Sequence, residues 1–513
     1  MRITYLSSTV KLILTAVLLG LLLVSSQALI SVAPASFLSI ATAQQFPGES
    51  QDGETREHIS HGRPSPSPHL NDPNLGLERV FRGLQDPTGM AFLGPDDILV
   101  AEKDTGRVQR IVHGKLQENP VIDVAVANND ERGLLGIAVS NVTIGAGTNN
   151  TYVFLYFTES GGGTDGDDWR NGIPPAGNRV YRYNVVENGE NDNLQLVNRK
   201  LILDLPATPG PRYNGGPLAI GPDDNVYVVI GDLDHHSTKG QNFENGPAPD
   251  GTSGVIRITQ EGKVADIPGI ISDKAPLNLY YAYGMRQSFG MAFDPVGGNL
   301  WDTENGPNYG DEINLIKPGF NSGWAKVSGL AERQANFNAQ NDLVDFGGRG
   351  KYSDPQFVWQ QTVAPTGLDF LNSNKLGAKY ENDLLVGDYN NGNLYHFDLN
   401  GNRTGLVLQG DLSDKAADPG NQFGPVLLGT GFGGITDIAS GPDGYLYVLS
   451  FQNEGSIFKI TSENGESDAD TNAATHEDNT NAATLHANIG DLGINDFINQ
   501  LMAKIIGDIS RHQ

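Results

Sequence analysis

Six segments of this 513-residue chain share one pattern. Each segment opens with a small apolar stretch, passes through a turn rich in Asp, Asn or Gly, and continues as two strands. The segments begin at Gly89, Gly133, Gly216, Gly290, Gly367 and Asp437. Their strands alternate apolar and polar residues with period two, so each small sheet has an apolar face to bury. Because no such sheet can bury that face alone, the pattern predicts that the sheets pack on one another.

The repeated pattern predicts the fold class. Each segment has room for four strands and variable loops, and the 64 glycines and 28 prolines suit a chain with many tight turns. We therefore predict an all-β fold, a six-bladed β-propeller, over residues 76–462, followed by a C-terminal amphipathic helix. An array of β-sandwiches is the alternative, although it does not require units this regular.

The two ends of the chain differ from the repeated middle. Residues 1–43 contain the apolar run "LILTAVLLGLLLV" and then the small residues "ATA", which predicts a signal peptide or an uncleaved membrane anchor. Residues 44–75 are interpreted as a linker and 463–485 as an acidic disordered tail. Residues 486–513 have the i, i+3, i+4, i+7 apolar spacing of an amphipathic helix, which could dock on the body, on a partner or on a second copy. We expect the body to act outside the cytoplasm, in the extracellular space or at the cell surface.

Charge and cysteine content narrow the function classes. The formal net charge of −27 repels phosphate backbones and argues against nucleic-acid binding. The chain has no cysteine, so an exported form must be held together by its core, by closure of the fold or by bound ions. The sequence also has no "GxSxG" nucleophile elbow, which disfavours a serine hydrolase.

A long motif in the fourth segment is the most specific feature of the sequence. It reads "YAYGMRQSFGMAFDPVGGNLWDTENGPNYGDEINLIKPGFNSGW", from Tyr281 to Trp324. This motif closely resembles the quinoprotein glucose/sorbosone dehydrogenase family, whose members are PQQ-dependent aldose sugar dehydrogenases on a six-bladed propeller. "DERGLLGIAVS", "NGGPLAIGPDDNVYVVIGD", "VAPTGLDF" and "DIASGPDGYLYVLS" match the same family in the same order. The resemblance implies oxidation of a sugar C1 hydroxyl by hydride transfer to the quinone.

The resemblance also implies calcium sites. In the family a calcium ion bridges the cofactor and two consecutive backbone carbonyls, which correspond here to Gly306 and Pro307. A family glutamate that ligates a structural calcium corresponds to Glu312, and Asp311 beside it is a further candidate ligand. Calcium is a hard cation that prefers such oxygen ligands.

The same resemblance assigns the cofactor contacts. Arg286 matches the family's arginine at the cofactor, and a planar guanidinium can pair with a carboxylate of PQQ. Gln287 and Asn214 are the other implied cofactor contacts. A small sugar is the implied substrate.

The chain departs from the family at four positions. Tyr213 stands where the family has its catalytic histidine, and a tyrosine with a pKa near 10 is a poor base at neutral pH. Asp388 or Asn390 lies near the place of a family lysine, and Gly434 and Thr436 stand at two family arginines. These departures favour an alternative interpretation, a catalytically inactive propeller that acts as an extracellular binding or surface module.

Two histidines could compensate for the missing base. His235 and His236 follow the second strand of the third segment and could supply a displaced base or, with Asp232 or Asp234, bind a metal. The alternative is a pair of solvent-exposed loop histidines in an Asp-rich turn.

Overall fold

The computed structural model describes residues 67–140, 151–188, 193–234, 236–265, 270–420 and 423–463. The predicted signal peptide or anchor (1–43), most of the predicted linker, residues 464–485 of the tail and the predicted helix (486–513) lie outside these residues. Residues 67–75 of the predicted linker are described, and they include a short strand at His69–Leu70. Within the described residues, every helix is too short or too polar to span a membrane.

The described chain is almost entirely strand and turn. The first eleven strands are β1 (His69–Leu70), β2 (Leu75–Arg82), β3 (Pro87–Gly94), β4 (Asp97–Glu102), β5 (Arg107–Val112), β6 (Lys115–Leu116), β7 (Ile122–Asp123), β8 (Leu134–Val139), β9 (Tyr152–Glu159), β10 (Gly177–Asn188) and β11 (Asn193–Leu205). The next ten are β12 (Leu218–Ile220), β13 (Asn225–Ile230), β14 (Gly254–Thr259), β15 (Tyr280–Tyr283), β16 (Ser288–Phe293), β17 (Leu300–Glu304), β18 (Asp311–Ile316), β19 (Phe320–Asn321), β20 (Lys351–Tyr352) and β21 (Phe357–Trp359). The last eight are β22 (Pro365–Phe370), β23 (Leu384–Asp388), β24 (Leu394–Phe397), β25 (Ala416–Ala417), β26 (Leu427–Thr430), β27 (Ile435–Ser440), β28 (Leu446–Ser450) and β29 (Ser456–Ser462).

Helical structure is limited to single turns. The α-helical turns are α1 (Asp167–Arg170), α2 (Ala339–Asp342) and α3 (Gln452–Gly455). The 3-10 turns are Lys239–Gln241, Leu277–Leu279, Ala331–Arg333, Gly410–Leu412 and Gly424–Val426.

The strands form the sheets of a β-propeller. The sheet orders are β3-β4-β5-β6 with β7 on β5, β11-β10-β9-β8, β12-β13-β14-β15-β19-β20, β16-β17-β18-β21-β25, β1-β26-β24-β23-β22 and β2-β29-β28-β27. The first strands contact one another in the order β3, β8, β12, β16, β22, β27, and β27 returns to contact β3. Each sheet therefore covers the apolar face of the next, and the ring has no open end.

The predicted fold class, a six-bladed propeller of six equivalent segments with a C-terminal helix, is wrong in this form. In only five of the sheets do four neighbouring strands follow one another in the order of the sequence. The remaining sheet has β27, β28 and β29 from the last segment, and its outer strand is β2, which precedes all six segments in the sequence. Pairing β2 with β29 closes the ring and covers the free edge that a three-stranded last segment would expose. The C-terminal helix has no counterpart among the described residues.

The repeated turn has a common physical basis in the third and last segments. In "GPDDNVY" the Asp223 carboxylate accepts hydrogen bonds from the Asn225 backbone N–H (3.2 Å) and the Tyr227 hydroxyl (3.0 Å). In "GPDGYLY" the Asp443 carboxylate accepts from the Tyr445 N–H (3.2 Å) and the Tyr447 hydroxyl (2.9 Å). The aspartate thus fixes the turn and the start of the next strand together, which is why this short sequence recurs.

Neighbouring sheets are joined by apolar packing and by side-chain hydrogen bonds. Trp301 and Trp359 are fully buried between the sheets that contain β17 and β23, together with Phe357 and Phe397. Near the ring's centre, the buried Thr366 links three sheets. Its carbonyl accepts from the Thr303 hydroxyl of β17 (2.8 Å), and its own hydroxyl donates to the Ile435 carbonyl of β27 (2.5 Å).

Substitution of Thr366 tests this link. Thr366→Val keeps the side-chain shape but leaves the Ile435 carbonyl without its donor, so we expect a loss of about 1–3 kcal/mol in the free energy of unfolding. Urea denaturation followed by tryptophan fluorescence measures the change. Thr366→Ser keeps the hydroxyl and is the matched control; equal midpoints for the two variants would contradict the link.

Candidate functional site

The candidate site is built from four connecting loops. Glu131 lies just before β8, Tyr213 before β12 and Arg286 before β16, while Gly306 lies in the turn between β17 and β18. The strands that follow the first three loops, β8, β12 and β16, are neighbours in the ring formed by the first strands of the sheets. The loops that enter them therefore meet at one end of the ring, and direct hydrogen bonds connect them.

Arg286 is at the centre of these contacts. Its side chain is 6% exposed. One terminal nitrogen, Nη1, donates to the carbonyls of Asn305 and Gly306, both at 2.9 Å. The other, Nη2, donates to the Tyr213 hydroxyl at 2.6 Å, and the guanidinium stacks over the Tyr213 ring at 4.1 Å from its centroid. The third nitrogen, Nε, is buried and has no hydrogen-bond partner among the described residues.

Tyr213 is held in an unusual conformation. Its backbone φ of 59° lies in the left-handed region, which non-glycine residues rarely adopt. The backbone N–H donates to Glu131 Oε2 at 2.5 Å, which helps to hold that conformation. Burial raises the pKa of the Tyr213 hydroxyl above its usual value, although the Arg286 charge opposes the change. At neutral pH, an even smaller fraction of this residue than of a free tyrosine is therefore in the phenolate form that could accept a proton.

Glu131 connects two of the other loops. Its Oε2 accepts from the Tyr213 N–H and also from Gln287 Nε2 at 2.7 Å. The Gln287 side-chain oxygen in turn accepts from the Gly215 N–H at 3.4 Å. Burial raises the pKa of Glu131 to about 7, against the lowering effects of the Tyr213 N–H and the Arg286 charge. A carboxyl group that changes its charge near neutrality therefore lies beside Tyr213.

Asn214 has a different environment from the one that the resemblance implies. It is fully buried, and its amide donates to the Pro211 carbonyl (2.7 Å) and accepts from Asn178 (2.9 Å). Its backbone carbonyl accepts from the Tyr156 hydroxyl (2.7 Å). These contacts fix the "NGG" turn and leave the amide facing protein groups.

The predicted metal ligands divide into two groups. Asp311 uses both carboxylate oxygens on backbone groups, accepting from the Gly306 N–H (2.8 Å) and from the N–H groups of Val363 (2.7 Å) and Ala364 (2.8 Å). It therefore holds the Gly306–Pro307 turn against the loop before β22. Burial raises the pKa of Asp311 to about 6, and these hydrogen bonds limit the rise.

Glu312 belongs to a buried acidic face on β17 and β18, which we define as Asp302, Glu304, Glu312 and Asn314. Asp302 pairs with Asn314 across the strands, and Glu304 pairs with Glu312. All four therefore project from the same side of the sheet. Their exposures are 0%, 5%, 4% and 1% in that order, so three carboxyl groups are buried together.

The hydrogen bonds of the acidic face are incomplete. Ser288 donates to one oxygen of Asp302, Ser322 to Glu304, and the Gly329 N–H to Glu312. Asp302 Oδ1 and Asn314 Oδ1 are buried and have no partner among the described residues. Burial, together with repulsion between the carboxylates, raises the pKa values of Asp302 and Glu312 well above their ordinary range. Unpaired buried oxygens in such a group are the ligands that a hard cation requires.

At the positions that correspond to a lysine and two arginines of the family, this chain has Asp388, Gly434 and Thr436, none of which is positively charged. Asp388 is buried, and its carboxylate accepts from the Tyr395 hydroxyl (2.7 Å) and the Asn391 N–H (2.6 Å). The Thr436 hydroxyl is buried without a partner among the described residues, and Gly434 lies against the Tyr389 ring.

Of the two predicted histidines, the structure describes only His236. His235 lies outside the described residues. The His236 ring contacts the Asp250 carboxylate at 2.7 Å, and its backbone N–H donates to the Asp232 carbonyl at 2.8 Å. The Asp232 carboxylate accepts from the Trp324 indole. His236 therefore faces Asp250, while the hydrogen bonds around Arg286 come from other residues.

Two parts of the site are absent from the sequence predictions. Glu131 lies inside the matching segment "DERGLLGIAVS", but its role depends on contacts with loops far along the chain. Asp302 and Asn314 lie within the long motif on either side of the turn. Their alternation with Glu304 and Glu312 is the signal that could have revealed the acidic face, because residues two apart on a strand share a side.

Comparisons with known proteins identify the family of this chain. The model of the family described as glucose / sorbosone dehydrogenase matches residues 84–459. The aldose sugar dehydrogenase YliI of Escherichia coli is 24% identical over 399 residues, which covers 76% of this chain and 94% of that protein. Quinoprotein glucose dehydrogenase B of Acinetobacter calcoaceticus is 28% identical over 296 residues, covering 54% of this chain and 58% of that protein.

A solved structure shares the fold. The PQQ-bound form of aldose sugar dehydrogenase from Streptomyces coelicolor superposes with a TM-score of 0.54 and is 22% identical. The match covers 75% of this chain and 98% of that one. At this level of identity the likeness concerns the fold alone.

Asp311→Asn tests whether Asp311 stabilises the Gly306–Pro307 turn. The amide of asparagine would point a donor at one or more of the three backbone N–H groups, so we expect a loss of about 1–3 kcal/mol in the free energy of unfolding. The loss should be equal with and without Ca²⁺, because both oxygens are already used by the backbone. Asp411→Asn, at an exposed surface turn, is the control. A loss that appears only with Ca²⁺ would show that Asp311 is a metal ligand instead.

Proposed function

Because the chain belongs to the glucose/sorbosone dehydrogenase family, we propose that it is a quinoprotein sugar dehydrogenase that oxidises the C1 hydroxyl of an aldose. Such a reaction needs an acceptor for a hydride and a group that takes the hydroxyl proton. The observation that carries the proposal is Arg286 Nε, a buried donor without a partner among the described residues, at the point where the loops meet. An unpaired buried donor is costly, and an anionic ligand would remove the cost.

PQQ fits this arrangement at Arg286. The cofactor carries three carboxylates, and a guanidinium N–H aimed at one of them forms a charge-assisted hydrogen bond. Asn305 Oδ1 is a second buried atom without a partner among the described residues, and it offers an acceptor beside Arg286. When bound, PQQ would supply the two-electron acceptor. Since Asp388, Gly434 and Thr436 provide no positive charge, we expect weaker cofactor binding than in a site with three further cations.

Calcium fits the acidic face. Glu312 and the unpaired oxygens of Asp302 and Asn314 offer carboxylate and amide ligands, and a divalent cation would offset the repulsion among the buried carboxylates. The Gly306–Pro307 turn fits less well, because Arg286 already donates to the Gly306 carbonyl. We therefore place the proposed calcium at the acidic face.

A second candidate function is a non-catalytic sugar-binding propeller. Tyr213 favours it, since the hydroxyl at the family's base position accepts from Arg286 and has a raised pKa.

For either function we propose that the body acts outside the cytoplasm, with residues 1–43 as the export signal or anchor. Self-association through residues 486–513 stays a proposal as well.

Activity measurements separate the two functions. With PQQ and Ca²⁺ added, we expect the purified chain to reduce a dye in the presence of at least one aldose from a panel of hexoses and pentoses. The signal should require PQQ. Binding of a sugar without any dye reduction would contradict the dehydrogenase and favour the binding module.

Calcium binding is tested by stability. Ca²⁺ at about 100 times its dissociation constant should raise the free energy of unfolding by about 2.7 kcal/mol, as measured by urea denaturation with and without EGTA. Glu312→Gln removes one charged ligand and should abolish most of this response. Glu332→Gln, at an exposed position, should retain it. A full calcium response in Glu312→Gln would contradict the proposed site.

A further inference from the structure

Glu131 is anchored in the site by one carboxylate oxygen only. Oε2 accepts from the Tyr213 N–H (2.5 Å) and from Gln287 Nε2 (2.7 Å). These donors come from two different loops, so the orientation of the carboxyl group is fixed by the fold. Among the described residues, Oε1 has no hydrogen-bond partner. The half-buried side chain thus presents one free oxygen beside Tyr213.

The charges around Glu131 favour proton exchange near neutrality. Burial is the largest effect and raises the pKa, and the neighbouring Asp130 carboxylate raises it further. The Tyr213 N–H and the positive charges of Arg286 and Arg212 lower it, and the result is a pKa of about 7. A group with this pKa is both available as a base and strong enough to take a proton at neutral pH.

Other groups near Tyr213 are less suited to this role. Burial raises the pKa of the Tyr213 hydroxyl above its usual value, and the hydroxyl accepts from Arg286. The Asp130 carboxylate pairs with Arg212 at 3.1 Å. His236 pairs with Asp250 at 2.7 Å. Glu131 alone in this group combines a fixed orientation with a free oxygen atom.

We propose that Glu131, through Oε1, is the proton acceptor for the sugar hydroxyl in place of the residue at position 213. This inference rests on the proposed function. In the step, the O–H bond of the substrate hydroxyl breaks and its proton goes to Glu131. The C–H bond on the same carbon breaks with its electron pair, which leaves as hydride for the quinone, and the carbon–oxygen double bond forms.

Glu131→Gln tests the proposal directly. The amide oxygen can still accept from Tyr213 and Gln287, but the side chain cannot take a proton. With PQQ and the preferred aldose, we expect kcat to fall by about 10²–10⁴-fold, with little change in KM or in PQQ affinity. Glu131→Asp keeps a carboxylate and should retain more activity than Glu131→Gln, which guards against a simple folding defect.

The pH profile adds a signature that a structural role would not produce. In the wild type, kcat should decline below about pH 7, because protonated Glu131 cannot act as a base, and Glu131→Gln should lose this decline. Asp130→Asn removes a negative charge that raises the Glu131 pKa, so the decline should move to lower pH. Infrared difference spectra of the cofactor-free wild type against Glu131→Gln should show a carboxyl band that titrates near pH 7.

The outcomes distinguish this inference from the proposed function. If the wild type oxidises aldoses and Glu131→Gln does so equally well with the same pH profile, the role of Glu131 is overturned while the enzyme assignment stands. If the wild type oxidises no aldose with PQQ bound, the proposed function fails and the role of Glu131 fails with it. A carboxyl band that titrates near pH 4 would overturn the role of Glu131 even in an active enzyme.

Discussion

The buried guanidinium of Arg286 is the interaction on which the candidate site depends. It joins its own loop to two others, through the Tyr213 hydroxyl and through the carbonyls of Asn305 and Gly306. It does so in a protein with a formal net charge of −27 and beside the half-buried Glu131. A single cation among carboxylates lowers their pKa values and attracts anions, so the same residue can order the loops and bind a charged cofactor.

On the acidic face, by contrast, three carboxyl groups are buried together, and the Arg286 charge acts only against the raised pKa of Glu304. The Glu304 charge raises the pKa values of Asp302 and Glu312, and two neighbouring oxygens have no partner within the described part of the chain. Burying charged carboxylates in this way destabilises the folded state unless the groups are protonated or a cation binds. The fold around it is a closed ring of sheets, and in a chain without cysteine a bound ion is a reasonable means of holding two strands and their turn.

Much of the fold could be predicted because its signals are local. The "GPD" turns of the third and last segments are fixed by Asp223 and Asp443 through bonds to residues at most four positions away, so a short sequence pattern contains them. The pairing of β2 with β29 joins two strands more than 370 residues apart in the sequence, and β2 lacks the repeated pattern. Sequence periodicity could not reveal that the last sheet is completed from the N-terminal side.

The site was predictable where one motif contains both partners and unpredictable where it does not. Arg286, Gly306 and Glu312 lie within the long motif, and the structure places Arg286 against Gly306. Glu131 enters the site only through the Tyr213 N–H and the Gln287 amide, contacts that depend on how the sheets are arranged. The environment of Asn214 could not be predicted for the same reason, because its hydrogen bond with Asn178 depends on packing between distant parts of the chain.

We propose that Arg286 binds PQQ in this site, and an equilibrium titration of the cofactor-free protein with PQQ tests this proposal most directly. Quinone absorbance or equilibrium dialysis would give the dissociation constants of the wild type and of Arg286→Lys, which keeps the charge but loses the fork of N–H donors. We predict saturable binding of one PQQ per chain, weakened by about tenfold or more in the variant, which is at least about 1.4 kcal/mol. Absence of binding to the wild type, or equal affinity in both proteins, would contradict it.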